Sequence, residues 1–259
     1  MTYWESIILG FVQGATEFLP VSSSGHLVIA QTLLGVSASG IVFEVAVHLA
    51  TLVSILVAYR ARLGDLARRS LARDTDALRY LALIVVASVP AGLVGVLAED
   101  QVEALFESPV VPGLGLLFTG VLLWTTRSAL PRATGSVSTW GIALAIGLAQ
   151  ALAITPGVSR SGTTIVAALW LGVEAREAAA FSFLMAIPAI AGAAVLELPN
   201  LEGSGLTAGP LLAGSLVACV TGILAIRTLV LLLDRRAFHA FAPYCWAVGA
   251  LFLAYLAMR

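Results

Sequence analysis

Two short segments hold most of the side chains able to do chemistry. The first, QGATEFLPVSSSGH at Gln13–His26, sets Gln13 and Glu17 four positions apart, on one face of a helix. Pro20 stops that helix, Ser22, Ser23 and Ser24 make a hydroxyl-rich turn, Gly25 allows close backbone approach, and a new helix is predicted to begin at His26. The second segment, PGVSRSGTT at Pro156–Thr164, again puts serines and a glycine (Ser159, Ser161, Gly162) ahead of a helix start at Thr163, with Arg160 where the first has Ser23. A helix N-terminus with free N–H groups beside hydroxyls is an anion site. One carboxylate, one imidazole, one guanidinium, several hydroxyls and two helix starts together make phosphate-binding parts plus an acid–base pair.

The elements that carry these segments are apolar. Of 259 residues 59% are hydrophobic and 11% charged, and mean hydropathy is +0.99, values that exclude an ordinary water-soluble domain. Fourteen basic residues against fifteen acidic ones leave a net charge of −1, so no global field would recruit nucleic acid, and none is expected as a partner. Every basic residue is Arg, which excludes Schiff-base chemistry. Cys219 and Cys245 lie in apolar stretches away from any His or second Cys and read as core. Met1 to Ser6 lack the basic region of a cleavable leader, so the N-terminus is expected in the mature fold.

A bilayer core of about 30 Å needs about 20 apolar residues per helix. Six stretches are long enough: Ile41 to Tyr59, Tyr80 to Ala98, Val110 to Thr126, Ala178 to Leu196, Ala208 to Leu233 and Phe241 to Met258. The loop Arg60 to Arg79 is rich in Arg, whereas Glu99 to Ser108 is acidic and has none; the first is therefore cytoplasmic and the second external. Continuing the count puts Arg127, Arg132, Arg235 and Arg236 inside, Glu197 and Glu202 outside, and both termini outside. Two further apolar regions are cut in the middle: Trp4 to Phe18 with His26 to Val36, and Trp140 to Ile154 with Thr163 to Val173. Their pieces are about half-membrane length at about 1.5 Å per residue, so each pair reads as a re-entrant helix–loop–helix hairpin beside a cavity.

The hairpins are alike. Gln13, Val21, Ser22, Ser24 and Gly25 match Gln150, Val158, Ser159, Ser161 and Gly162 at one offset of 137 (150 − 13 and 162 − 25). Three spans between the hairpins make the second enter from the opposite side. The expected fold is thus an all-α integral membrane protein, one membrane domain over residues 1–259, with six full spans and two re-entrant hairpins. It forms an inverted-topology repeat, about 1–126 and about 140–259, whose broken helices meet near the midplane.

At these residues the chain resembles the undecaprenyl-diphosphate phosphatase family, also called the bacitracin-resistance family. Gln13 to His26 and Pro156 to Thr164 are similar to its two signatures, and the likeness runs on through FEVAVHLATL and FSFLMAIPAIAGA. The resemblance implies a bacterial plasma-membrane enzyme that removes the terminal phosphate of undecaprenyl diphosphate. That would recycle the lipid carrier for wall polymers, from a site opening to the extracytoplasmic face, with help from a divalent cation, Mg²⁺ or Ca²⁺. Glu17, Ser23, His26, Ser159 and Arg160 match the family's functional positions. Gln13 stands where many members have Glu, so a cation held by Glu17 and Gln13 would have one carboxylate fewer.

In the expected mechanism Ser23 attacks phosphorus in line and Glu17 and His26 manage protons. Arg160, Gly25 and Gly162 with their helix starts, and Ser22, Ser24, Ser159, Ser161 and Thr163, hold phosphate. His26 as nucleophile is the rival version. Ser22, Ser24, Ser159, Thr163 and Thr164 can equally cap helices, and Gln13 and Gln150 can line the site or bond between helices. Glu44 and His48, four apart, read either as a supporting pair or as an ordinary surface pair. Ala213, Gly214 and Ala218 offer a small-residue face for a homodimer or for packing within the chain. A polyprenyl-phosphate flippase or secondary transporter is the rival function, since inverted repeats with broken helices also serve alternating access.

Overall fold

The computed structural model describes residues 1–36, 41–197 and 208–258, so Glu202, expected outside, lies beyond the described residues. Among the described residues twelve α-helices follow in chain order. The first hairpin is α1 (Tyr3–Phe18) and α2 (Ser23–Leu34), followed by α3 (Ile41–Ala58), α4 (Arg60–Leu71), α5 (Thr75–Leu97), α6 (Glu99–Glu107) and α7 (Val111–Ala129). The second hairpin is α8 (Trp140–Leu152) and α9 (Arg160–Trp170), followed by α10 (Ala175–Glu197), α11 (Ala208–Asp234) and α12 (Phe241–Ala257). Among the described residues the only β contact outside these helices is one isolated bridge, Gly135 to Val173.

Local chemistry explains the boundaries. Thr2 and Glu5 form a capping box at the start of α1, and Leu19, forced extended by the following Pro20, ends it. Ser22 caps α2 and Ser159 caps α9, each accepting from the N–H three residues on, Gly25 and Gly162. Both helices therefore start three residues earlier than His26 and Thr163, because the serine oxygens take the first-turn donors. α2 and α9, at 12 and 11 residues, reach only about 18 Å and cannot cross a bilayer.

Each of the six expected spans has its helix. α5, α7, α10 and α11 are long and apolar enough alone, as is α12 together with the turn from Phe238 before it, and α3 passes only when counted with α4, from which it is bent by 74°. The two polar connections expected as loops are helical over α4 and α6. α4 is amphipathic, burying Leu66 while Arg68 and Arg69 close its last turn; it lies at the sharp bend where an interfacial helix would. Glu99 and Asp100 in the first turn of α6 complement its positive end.

The Arg-rich connections converge. Arg62 of α4 bonds both carboxylate oxygens of Glu177 at 2.8 and 2.7 Å, and Arg176 pairs with Asp234 at 2.6 Å. Three connections assigned to the cytoplasmic side thus meet at one end of the bundle.

The two halves exchange helices. α1 packs on α11, and α8, its counterpart, packs on α5; α3 and α10 likewise each lie against the other half. Gly10 and Gly147, 137 positions apart, sit at these crossings. A Cβ on Gly10 would strike the carbonyl oxygen of Gly214, and one on Gly147 that of Ala87. The small-residue face of Gly214 and Ala218 is buried against α1, where a Cβ on Gly14 would meet Ala218 and Thr221. Of the two uses the sequence left open for this face, packing within the chain is what Gly214 and Ala218 show.

Candidate active site

The ends of both hairpins touch. A Cβ on Gly25 would lie 3.1 Å from the Gly157 Cα, and one on Gly162 would lie 3.3 Å from Pro20 Cβ. Ser161 Oγ donates to the Leu19 carbonyl at 3.2 Å. Gly157, at φ +85°, takes a left-handed turn that L side chains resist, and Thr119 of α7 pins it by donating to its carbonyl at 3.0 Å. The same Thr119 oxygen accepts the Ser159 N–H at 3.0 Å. In the first loop Ser22 carries the unfavourable φ of +67°, a strain of about 1–3 kcal/mol that the surrounding contacts must hold.

Glu17 is the hub of this junction. Its Oε1 accepts from Arg160 at 2.6 Å, and its Oε2 accepts from Ser23 Oγ at 2.5 Å and from Gln13 Nε2 at 3.0 Å. The Glu17 side chain is 7% exposed and that of Arg160 16%, so the pair is a largely buried ion pair. Ser23 and Arg160 occupy the same position, the first residue of their helices, as the 137-residue offset requires. Ile154, which corresponds to Glu17, has no charge, so one half supplies the carboxylate and the Ser23 hydroxyl bonded to it and the other the guanidinium.

A cavity of about 440 Å³ opens over this cluster. Glu17, Ser22, Ser23, Ser24, Ser159 and Arg160 line its polar floor. Leu27, Val45, Ile154, Ile190 and Ala193 are among its apolar walls, and Gln31, Glu44, Phe106 and Glu197 are placed around it too. The last four belong to helix ends assigned to the external side.

Several expected site residues lie elsewhere. His26 does not line the cavity: Nδ1 is 2.8 Å from the Ser22 carbonyl oxygen and Nε2 is 2.8 Å from the Tyr244 hydroxyl of α12. Its ring stacks parallel to Tyr244 within 5°. The helix start three residues earlier moved His26 onto the turn facing α12, away from Glu17. The N–H groups of Gly25 and Gly162 are taken by the Ser22 and Ser159 caps, Ser161 is fully buried and Thr163 is 4% exposed. These four pack the junction; Ser23, Ser24, Arg160 and Ser161 open the two helices, so their N–H groups have no partner within the helix. Gln150 is 3% exposed and neither of its amide atoms has a hydrogen-bond partner; the same holds for Gln13 Oε1 and Thr163 Oγ1.

His48, which the i,i+4 spacing with Glu44 left undecided, enters the site. Its Nε2 lies 3.9 Å from Glu17 Oε2, and it lines the cavity. Ser182 of α10 supports the cluster from outside the cavity, its carbonyl accepting from Arg160 at 3.5 Å and its hydroxyl 2.7 Å from Thr164 Oγ1; nothing in its apolar stretch marked it.

The residues do not fit a resident cation. Glu17 already accepts three donors, one a guanidinium, Gln13 faces it with its N–H, and no three His, Cys, Asp or Glu gather among the described residues. A divalent ion held by the chain would need oxygen ligands turned toward it.

This architecture is that of a polytopic helical membrane protein with a buried polar cluster where two helix hairpins meet. The chain belongs to the family described as bacitracin resistance protein BacA, whose profile matches residues 6–251. It is 44% identical to the undecaprenyl-diphosphatase of Rubrobacter xylanophilus, with 97% of each chain covered. It is 42% identical to that of Desulfosudis oleivorans, with 98% of each covered, and 39% identical to that of Desulforapulum autotrophicum, with 96% of each covered.

Proposed function

We propose that the protein hydrolyses the terminal phosphoanhydride of a polyprenyl diphosphate, undecaprenyl diphosphate in the first instance, releasing orthophosphate and lipid monophosphate. The observation that carries this reading is the Ser23 hydroxyl bonded at 2.5 Å to a carboxylate that also holds Arg160 at 2.6 Å, where two helix N-termini meet. Ser23 Oγ attacks the terminal phosphorus as its proton passes to Glu17, and the lipid monophosphate leaves. Arg160 and the N–H groups of the two helix starts take the charge that builds on the equatorial oxygens. His26, tied to Tyr244, braces the first loop. The relatives' name supports hydrolysis over transport, and a flippase has no need of a serine held by a buried carboxylate.

The site faces the extracytoplasmic side of a bacterial plasma membrane in this reading. Support comes from the external helix ends around the cavity mouth and from the Arg-rich connections gathered at the other end. The lipid product would re-enter wall-polymer synthesis as carrier. A divalent cation would arrive on the diphosphate and be held by its oxygens. Titration calorimetry with Mg²⁺ and no lipid should then show no binding, while chelator should still slow turnover; tight binding without substrate would place the ion on the protein.

Orthophosphate release from undecaprenyl diphosphate by the detergent-purified protein tests the reading. Glu17→Gln, Ser23→Ala and Arg160→Gln should each lose about 10²-fold or more while staying monodisperse. No release from well-folded wild type would overturn it.

A further inference from the structure

After Ser23 attacks, Glu17 holds the proton that Ser23 gave up. When the phosphoseryl bond breaks, Ser23 Oγ must regain a proton, and Glu17 Oε2, 2.5 Å away, is the donor in place. By microscopic reversibility Glu17 is the acid of the second step and cannot also be its base. The attacking water needs another acceptor.

His26 cannot be that acceptor, since its two ring nitrogens are bonded to the Ser22 carbonyl and the Tyr244 hydroxyl and it lies outside the cavity lining. Oε1 of Glu44 accepts from Gln31 at 3.0 Å. His48 meets the requirement. Its Nδ1 is 2.7 Å from the Glu44 carbonyl oxygen, a group that can only accept, so Nδ1 carries the hydrogen and Nε2 offers a lone pair. That lone pair lines the cavity and faces Glu17 Oε2 across 3.9 Å, too far for a direct hydrogen bond. Nε2 can therefore accept from a water in the cavity. The ring is held in place by its own turn of α3, because Gln31 of α2 ties Glu44 and Thr51 Oγ1 bonds the His48 carbonyl at 2.7 Å.

We propose that His48 is the base of the dephosphorylation step, taking the proton of the water that attacks the phosphoseryl phosphorus. The water oxygen–phosphorus bond forms as the Ser23 Oγ–phosphorus bond breaks. Glu17 returns its proton to Ser23 Oγ, the water's proton goes to His48 Nε2, and from there it leaves with the phosphate or through the cavity mouth. No further reactant is needed. This assignment rests on the covalent serine route proposed above.

The test is rapid-quench kinetics with undecaprenyl diphosphate labelled in its terminal phosphate, on the full-length wild type, His48→Leu and His48→Gln. His48→Leu should release one equivalent of lipid monophosphate per enzyme at near wild-type rate. Its orthophosphate release should then fall by about 10²-fold, with label on Ser23 in the digested protein. His48→Gln, which keeps an acceptor oxygen and the helix, should recover part of that loss, and it guards against misfolding of the leucine variant. Orthophosphate release at the wild-type rate in both variants would overturn the proposal, as would equal slowing of both products with no phosphoserine. A wild type that makes no lipid monophosphate would instead bring down the hydrolase reading, and this proposal with it.

Discussion

Glu17 does three jobs with two oxygens: it fixes the Ser23 hydroxyl, anchors Arg160 and accepts from Gln13. Loss of Arg160 leaves a largely buried carboxylate without its counter-ion, and loss of Glu17 does the same to the guanidinium, so either change costs more than one hydrogen bond. Gln150 is the contrary case. It corresponds to Gln13, yet the position that would hold its carboxylate is Ile154, and its amide is buried with neither atom bonded. A buried unsatisfied polar group costs about 1–3 kcal/mol. Gln150→Met should therefore keep full phosphatase activity and raise the thermal midpoint in detergent; a drop in either would show that the amide has a partner in the working protein.

At the scale of elements, the crossings of α1 with α11 and of α8 with α5 depend on glycine at the contact. Gly147→Val would drive a side chain into the α5 backbone at Ala87, and overpacking of this kind costs about 1–3 kcal/mol. Gly141 sits on the same helix with nothing within 4 Å of an added Cβ, so Gly141→Ala is the matched control and should be neutral or slightly stabilising. Thermal unfolding of both variants in one detergent checks the pair. Equal midpoints would mean that the α5–α8 crossing has slack. At the Arg-rich end, a hydrogen bond from Arg69 holds the Asp74 carboxyl down to about 2, so this cap on α5 stays ionised through the physiological range.

At the scale of the whole molecule, the two kinds of connection lie at opposite ends. Arg62, Arg176 and their partners gather at one end, and Gln31, Glu44, Phe106 and Glu197 surround the cavity at the other. In a background with Cys219 and Cys245 replaced, an impermeant maleimide added to intact cells should label a cysteine at Glu103 and miss one at Arg68 until the cells are lysed. The reverse pattern would turn the site toward the cytoplasm. The exchange of helices between halves also means that each loop is braced by helices from the other half, α7 on the second loop being the case seen through Thr119.

The sequence by itself determined whatever is written within one segment. The six spans follow from unbroken apolar runs, the hairpins from Pro20 and Pro156 with their serine caps, and the pairing of the hairpins from the 137-residue offset. Even the meeting of Glu17 with Arg160, 143 positions apart, was legible, because a lone guanidinium in an apolar region needs an anion. Short polar helices such as α4 and α6 escaped, since a search for long apolar runs passes over them. Only the tertiary structure decided which imidazole serves the carboxylate. His26 stands in the signature and His48 outside it, yet one turns to Tyr244, 218 positions on, and the other to Glu17. The reason is rotational: each residue advances a helix by about 100°, so a start three residues earlier and the angle of α3 against α1 settle which face meets the cavity. Those angles come from packing between segments, which no single segment contains.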